Sequence, residues 1–357
     1  MEIVDNLSLA DYTSLGVGGP AERAVIASNS EELIEILSES KRRQTIWLLG
    51  GGSNVLVSDY GLPGLTILQS GGRIVFDQDK VLVDSGVEWD ALVEQALKRK
   101  LWGIELLSEV PGTIAGATFI NIAAYGQTIG ERIEWVEAWD RLRSRRVVFH
   151  QNQLELGYKQ TIFQNSPHLI ITRVCLNLSK KVTHVLEYQK ALEVAEELQL
   201  SVDSLTDRRQ IIIETRRRSG SIWHPHDPRF SRTAGSFFRN PLVPEKLANA
   251  IINFDETETN PNIVKKMNTV HGGSANRVSA AHVLLAAGFK RGQNWGRVKL
   301  NDQNLLKIEA LSGATAQDIY NVMLNIQSSV LTKLGLKLEP EVRLLGKFKN
   351  KHKHIDK

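Results

Sequence analysis

The sequence predicts an α+β protein of more than one domain. Three observations carry that reading. The chain has 357 residues, more than one small hydrophobic core organises. Over its first two thirds, short runs with strand periodicity are interleaved with amphipathic helical stretches. From about residue 220 the pattern shifts to a turn-rich, aromatic segment followed mostly by helices. With 42% apolar and 24% charged residues the composition is that of a globular protein, which excludes the disordered and fibrous classes.

The opening reads as a βα unit. AERAVIA (21–27) alternates as a short strand, SNSEELIEILSES (28–40) is an amphipathic helix with Ser28 or Asn29 near its start, and TIWLLG (45–50) is a buried strand. GLTILQ (64–69), GRIVFD (72–77) and KVLVDSG (80–86) are β runs separated by turns. EWDALVEQALKRKL (88–101) places apolar residues at i, i+3 and i+4 and predicts a helix. The Gly/Ala-rich stretch 108–126 has neither period. WVEAWD (135–140), RRVVFH (145–150) and LIITRVCLNL (169–178) return to strands, and EYQKALEVAEELQL (187–200) and TDRRQIIIETRRRSG (206–220) are helices. Beyond a domain boundary near 218–225, helices are expected at 245–251, 279–288 and 314–335, with a strand over 299–308 and another over 337–346.

Charge and cysteine usage narrow the class. The net charge is +4, and much of the excess is local: five lysines in 347–357 and five arginines in 208–218. A tail of that kind is expected to be solvated and disordered, and the overall basicity suits polyanionic ligands, nucleotides included. Cys175 is the one cysteine, so no internal disulfide or paired-cysteine metal site can form, and its alternating apolar setting marks a strand core residue. The polar, acidic start lacks a secretory pattern and no apolar run reaches the length of a membrane span, so a cytoplasmic protein is expected. His224 and His226 lie two apart in a turn with no third ligand nearby, so no metal site is expected.

Two segments carry the chemistry. Gly50, Gly51, Gly52, Ser53 and Asn54 follow the buried strand TIWLL. Glycines allow close backbone approach and positive φ, successive N–H groups can nest diphosphate oxygens, and Ser53 and Asn54 add donors. The pattern is not GxGxxG and no capped helix follows, which argues against a Rossmann site. The second segment, 108–126, carries Pro111, Gly112, Gly116 and Asn121 among small residues. So lean an apolar stretch brings backbones close together or close to a flat ligand such as an isoalloxazine ring.

These segments fall in a series. TSLGVGGPA (13–21), LLGGGSNVLVSD (48–59), VPGTIAGATFINIAAYG (110–126), GYKQTIF (157–163), AGSFFRNP (234–241) and KLEPEVRLLG (337–346) resemble, in order and spacing, the signature blocks of the UDP-N-acetylenolpyruvoylglucosamine reductase family. The resemblance runs from about Leu9 to Gly346. It implies a two-part FAD-binding domain of the vanillyl-alcohol-oxidase type, with subdomains at 1–70 and 71–218. It also implies an α+β substrate domain at 219–336, a C-terminal strand at 337–346 bearing a catalytic glutamate, and a basic tail at 347–357. Further implications are non-covalent FAD, NADPH as co-substrate, a UDP-sugar enolpyruvyl ether as substrate, a place in peptidoglycan precursor synthesis, and a monomeric protein with no nucleic-acid or membrane partner.

The implied reaction saturates a C=C bond, so it needs a hydride source, a charge stabiliser at the carboxylate and a proton donor at the α-carbon. By position in the family's blocks, Ser236 is the proton donor. Glu339 and Glu341 would share one strand face, and the motif favours Glu341 as the catalytic glutamate. Tyr158 and Lys159 match a Tyr-Arg pair, with lysine where the family has arginine, which keeps the charge and loses the bidentate fork. On the substrate side, Tyr188 matches a tyrosine that closes over the nucleotide, and helix packing is an equal alternative. Asn240, Arg218 and Lys290 are candidate contacts, with Arg297 beside Lys290. Ser219 stands in the region where the family places a lysine. Three alternatives stay open: another flavoprotein of the same fold, a flavoprotein without this activity, and a nucleic-acid binder built on the arginine run. The last lacks any recognisable motif or aromatic interleaving.

Overall fold

The computed structural model describes residues 2–41, 43–222, 230–253 and 277–349. His224, His226 and the tail from 350 onward lie outside them. In chain order the strands are β1 (Ile3–Ser8), β2 (Pro20–Ala27), β3 (Ile46–Leu49), β4 (Val55–Val57), β5 (Leu62–Gln69), β6 (Ile74–Asp77), β7 (Lys80–Asp84), β8 (Ala123–Ala124), β9 (Gln127–Thr128), β10 (Ile133–Asp140), β11 (Arg145–His150), β12 (Leu169–Asn177), β13 (Val298–Leu300), β14 (Ile308–Ala310) and β15 (Arg343–Leu345). The helices are α1 (Ser30–Glu39), α2 (Trp89–Lys98), α3 (Ile114–Phe119), α4 (Gln189–Glu197), α5 (Leu205–Arg218), α6 (Glu245–Asn253), α7 (Ala280–Ala286) and α8 (Ala316–Leu334). The content is α+β, as the periodicities predict.

The chain forms two compact units. The first comprises 1–5, 23–51 and 64–222; the second comprises 6–22, 52–63 and 223–357. In the first, α1 starts at Asn29, whose side-chain oxygen accepts from the Glu31 and Glu32 N–H groups at 3.0 Å each. That satisfies two of the orphan donors of the helix start. Leu33, Ile34, Ile36 and Leu37 of α1 pack with Val25, Leu65 and Ile67 against a sheet of order β1-β2-β5-β3, in which β3 and β5 run parallel. A five-stranded antiparallel sheet follows, in the order β11-β10-β12-β7-β6. Its core face buries Val83, Val136 and Val174 under Trp89 and Leu92 of α2 and Ile114 of α3. Cys175 is 6% exposed on β12, and burial pushes its thiol up to about 11, as suits a strand core residue. The pair α4–α5 forms a third cluster, with Ala191, Val194, Ile211 and Ile212 around Leu106.

The second unit is built on Phe237 and Phe238, both fully buried, among Val283 and Leu284 of α7, Ile319 and Ile326 of α8, and Leu338 and Val342. Leu15, Val17 and Leu56 from the early chain belong to the same core. β15 pairs in parallel with β4, Arg343 opposite Val55. The α8 start is closed by its own Thr315–Asp318 capping box and by Asp59, whose carboxylate accepts from the Ala316 and Gln317 N–H groups at 2.8 Å each.

Three elements differ from expectation. The run 299–308 is a hairpin, β13–β14, because Asn301 turns the chain: its side-chain oxygen accepts from the Gln303 and Asn304 N–H groups. The strand expected over 337–346 is regular only at Arg343–Leu345, since Pro340 brings no N–H to a ladder and leaves an isolated bridge to Phe238. β1 is a strand that its polar, exposed sequence does not announce.

Candidate active site

The glycine loop is where the chain passes from the first unit to the second, and its glycines meet a different obstacle on each side. In the first unit, a Cβ on Gly50 would collide with the Thr113 side chain, and one on Gly51 would sit 2.8 Å from Gly112 Cα. The loop therefore lies directly on the Pro111–Thr113 turn. In the second unit Gly52 has φ +59°, and a Cβ there would run into the Tyr12 carbonyl. The Ser14 N–H donates to Gly52 O at 3.1 Å, and the Arg343 N–H to Asn54 O at 3.0 Å. Ser14 Oγ and Asn54 Nδ2 are buried with no hydrogen-bond partner among the described residues. Buried polar atoms are nearly always satisfied, so two such atoms beside Gly52 in the second unit fit a site whose partners come from a ligand with polar oxygens. A dinucleotide diphosphate has that chemistry.

The small-residue stretch resolves into α3 and the β8–β9 hairpin. Thr113 caps α3, and the N–H groups of Ile114 and Ala115 donate to Val87 and Ser85 oxygens at 2.9 Å, fixing the turn to the β7–α2 connection. Gly116 is exposed within α3, and a Cβ there would meet only Thr113 Oγ1, at 3.7 Å. Asn121, at φ +47°, donates from Nδ2 to Gly157 O at 2.9 Å and accepts at Oδ1 from the Gly130 N–H at 3.0 Å. It thereby ties this stretch to the tight turn Gly157-Tyr158-Lys159-Gln160, closed by two backbone bonds of 3.2 Å.

Lys159 occupies that turn at φ +54°, a left-handed conformation that costs a non-glycine residue about 1–2 kcal/mol. Gln164 holds it there, donating from Nε2 to Lys159 O at 2.8 Å and to Phe119 O at 3.0 Å, while Thr161 Oγ1 also donates to Phe119 O. Strain held by surrounding bonds is a mark of functional turns. The first unit thus brings Pro111, Gly112, Gly116, Asn121, Tyr158 and Lys159 into one bonded framework.

In the second unit, the Ser236 and Glu341 segments lie side by side. The Glu341 N–H donates to Phe237 O at 2.8 Å, the Arg239 N–H to Glu339 O at 2.9 Å, and Phe238 bridges Pro340. The two buried phenylalanines fix the backbone next to Ser236, which is half-buried. Glu339 is exposed and Glu341 half-buried, a difference in environment that the alternation of a strand does not reveal. Asn240 uses its side-chain oxygen to accept from the Ala280 N–H at 2.9 Å at the start of α7, and its own carbonyl accepts from Arg277. Lys290 is exposed.

The arginine run serves the protein's own fold. Arg208, 2% exposed at its side chain, pairs with the fully buried Glu105 at 3.0 Å and donates to His184 O. Arg209 clasps Asp90 through both nitrogens. Arg217 bonds Glu214, and Arg218 bonds Glu214 and Glu197, so Arg218 is committed to two carboxylates on an exposed face. Arg216 is buried and donates to Ser221 O at 2.7 Å. Its charge acts on the Tyr125 phenol, which burial pushes up and Arg216 pulls back. Tyr188, itself 44% exposed, stacks edge-on against Tyr125 at 5.1 Å between ring centroids, and partial desolvation raises its phenol also. The Tyr125–Arg216 proximity is not legible in the sequence because the two residues are 91 apart; the aromatic residue ending a small-residue stretch is its one signal. Among the described residues no group of three or more His, Cys, Asp or Glu side chains could hold a metal, and no helix is long and apolar enough to cross a membrane.

Comparison with known proteins agrees with this construction. Residues 21–142 match an FAD binding domain, and residues 227–345 match the C-terminal domain of UDP-N-acetylenolpyruvoylglucosamine reductase. The reductase of that name from Thermobifida fusca is 30% identical over 353 residues, covering 96% of this chain and 97% of the relative. The one from Pseudomonas aeruginosa is 30% identical over 351 residues, covering 96% and 99%. The crystal structure of the Thermus caldophilus enzyme superimposes with a TM-score of 0.65 over 97% of this chain and 98% of that one, at 23% identity, and so shares the fold. The fold is accordingly an FAD-binding domain followed by this C-terminal domain, and the chain belongs to the UDP-N-acetylenolpyruvoylglucosamine reductase family.

Proposed function

We propose that this protein is an FAD-dependent reductase that uses NADPH to convert the enolpyruvyl ether of UDP-N-acetylglucosamine into UDP-N-acetylmuramate, a precursor of peptidoglycan. The observation that carries the reading is the pairing of the Ser236 segment with the Glu341 segment in the second unit through Phe237. Gly50, Gly51, Gly52, Ser53 and Asn54 would hold the diphosphate of FAD, and Pro111, Gly112, Gly116 and Asn121 would shape its surroundings. When bound, FAD supplies the hydride that the β-carbon of the enolpyruvyl group receives.

The chain's own residues then handle charge and proton. As the C=C bond opens, negative charge grows on the α-carbon and its carboxylate. The Lys159 ammonium steadies that charge as a point cation. Ser236 gives its hydroxyl proton to the α-carbon, completing the new C–H bond, and Glu341 assists at the same centre. Phe237 and Phe238 keep the neighbouring backbone dry and rigid. Tyr158, Tyr188, Asn240, Arg218 and Lys290 are assigned to the nucleotide and sugar, with Arg218 exchanging a carboxylate partner for the ligand. We assign FAD binding to 1–218 in two subdomains, substrate binding to 219–336 and the catalytic glutamate to 337–346. The protein is proposed to act as a cytoplasmic monomer without nucleic-acid or membrane partners.

Ser236→Ala tests this. Stopped-flow absorbance should show NADPH bleaching the flavin at the parent rate, while reoxidation by the enolpyruvyl substrate slows by about 10²–10⁴-fold. Equal loss in both phases would give Ser236 a structural role and sink the assignment.

A further inference from the structure

The second unit contains a charged group that the proposed chemistry leaves unused. Lys307 is 3% exposed, and it is the one lysine counted as buried among the described residues. It immediately precedes β14. Ile308 and Ala310 of β14 are buried in the apolar core, so the alternation of the strand puts Lys307 and Glu309 on the opposite face. That face is polar: the Asn301 side chain donates to Glu309 at 3.0 Å and to Ser231 Oγ at 3.2 Å, and Lys299 lies 3.8 Å from Glu309.

The segment next to this face, Arg232 to Phe238, is the irregular one that carries Ser236. Thr233 bridges Glu309 in antiparallel sense, the Ala310 N–H donates to Arg232 O at 2.9 Å, and the Phe237 N–H donates to Leu306 O at 2.8 Å. Between these contacts lie Lys307 and Ile308 on one segment and Ala234, Gly235 and Ser236 on the other; Ala234 and Ile308 belong to the apolar core, which leaves Lys307 across from Gly235 and Ser236. The bonds at Arg232 and Phe237 hold the two backbones together on both sides of this position, so Gly235 and Ser236 lie within the span of a lysine side chain. Gly235 has φ +74°, and a Cβ there would meet nothing within 4 Å, so the space off its Cα is open. Burying an ammonium is costly unless it meets polar or charged groups, and Glu309 lies on the same face.

We infer that Lys307 is a positioning residue for proton transfer: its buried ammonium, across from Gly235–Ser236, acidifies the Ser236 hydroxyl through its charge. The inference rests on Ser236 being the proton donor. In the step itself the Ser236 O–H bond breaks as the substrate α-carbon–hydrogen bond forms, and the electron pair stays on oxygen as an alkoxide. A neighbouring cation stabilises that alkoxide and so strengthens the serine as an acid, and water restores the proton once the product has left. Serine alone is a weak acid, which is why the position opposite it matters.

The test uses the full-length protein loaded with FAD. Lys307→Met removes the charge at nearly constant volume, and Lys307→Gln retains hydrogen-bonding capacity without charge should the first variant fold poorly. Anaerobic stopped-flow follows flavin bleaching by NADPH and then reoxidation by the enolpyruvyl substrate, in H2O and D2O. Equilibrium titration of the oxidised protein gives the substrate Kd. Since one opposite charge nearby shifts acidity by about one to three units, reoxidation should slow by about tenfold or more, with a larger solvent isotope effect. Bleaching rate and Kd should stay within about twofold of the parent. Parent-like reoxidation in Lys307→Met or Lys307→Gln, or equal slowing of both phases, overturns the role of Lys307. Ser236→Ala in the same series separates the two ideas: if it also reoxidises at the parent rate, the serine assignment itself has failed, whereas a slow Ser236→Ala beside a fast Lys307→Met removes Lys307 alone.

Discussion

Lys159 sits in a left-handed turn that glycine would occupy without strain, and the chain has kept a cation there. The turn is held by the Asn121 and Gln164 side chains, which bond the Gly157 and Lys159 carbonyls, so the backbone is positioned independently of the ammonium. That independence makes the charge testable. Lys159→Ala should slow reoxidation of the flavin by substrate, since an oxyanion stabiliser is typically worth about 2.7–4 kcal/mol. Lys159→Gly is the cleaner variant: it relieves the positive φ while removing the charge, so the fold should be at least as stable while the same step is lost. Lys159→Arg should match or exceed the parent, because the guanidinium adds planar alignment to the charge. Stopped-flow kinetics and thermal melting of the three variants decide the matter. Parent-rate reoxidation in Lys159→Gly would make the lysine a spectator.

At the scale of elements, α5 shows how a run that reads as basic surface becomes internal structure. Its arginines divide between buried partners and exposed carboxylates, and the Arg208–Glu105 pair is nearly inaccessible to solvent. Removing one member of a buried pair leaves the other charge uncompensated, which typically costs about 3–5 kcal/mol. Arg208→Met should therefore lower the urea midpoint severely, and Arg208→Met with Glu105→Leu should recover much of the loss; if the double variant is no better than the single one, the damage comes from lost packing. The helix itself was legible from its periodicity, but the identity of each arginine's partner was not, because Glu105 and Asp90 lie about a hundred residues upstream. α1 is the opposite case, since its cap Asn29 is local. The hairpin at 298–310 was missed where apolar residues flank a polar turn and mimic one long strand; the Asn301 side chain, bonding two N–H groups ahead, is what divides it.

For the whole molecule, composition marks a change from about residue 220, yet 6–22 and 52–63 fold with the residues beyond it. Nothing local announces that, because the partners of Leu15, Val17 and Leu56 are some two to three hundred residues away in sequence. The site blocks were legible because glycine and proline patterns are local. What each glycine avoids is visible only in three dimensions. Gly51 is the instructive one: with Gly112 Cα 2.8 Å from where its Cβ would be, no side chain fits without parting the glycine loop from the Pro111–Thr113 turn. FAD held by such a nest is bound through oxygens and shape, and the resemblance that led to FAD brought no histidine or cysteine attachment residue with it. Heat or acid should thus release a yellow cofactor into solution, and added FAD should raise the melting temperature of the stripped protein in proportion to the logarithm of its concentration. Gly51→Val should fold with its cores intact, purify colourless and show no such rise. Flavin that stays with the denatured chain would mean a covalent bond. A Gly51→Val protein that binds FAD with parent affinity would mean that the diphosphate lies elsewhere, because a valine cannot occupy that position while the loop keeps the approach to Gly112 from which the site was built.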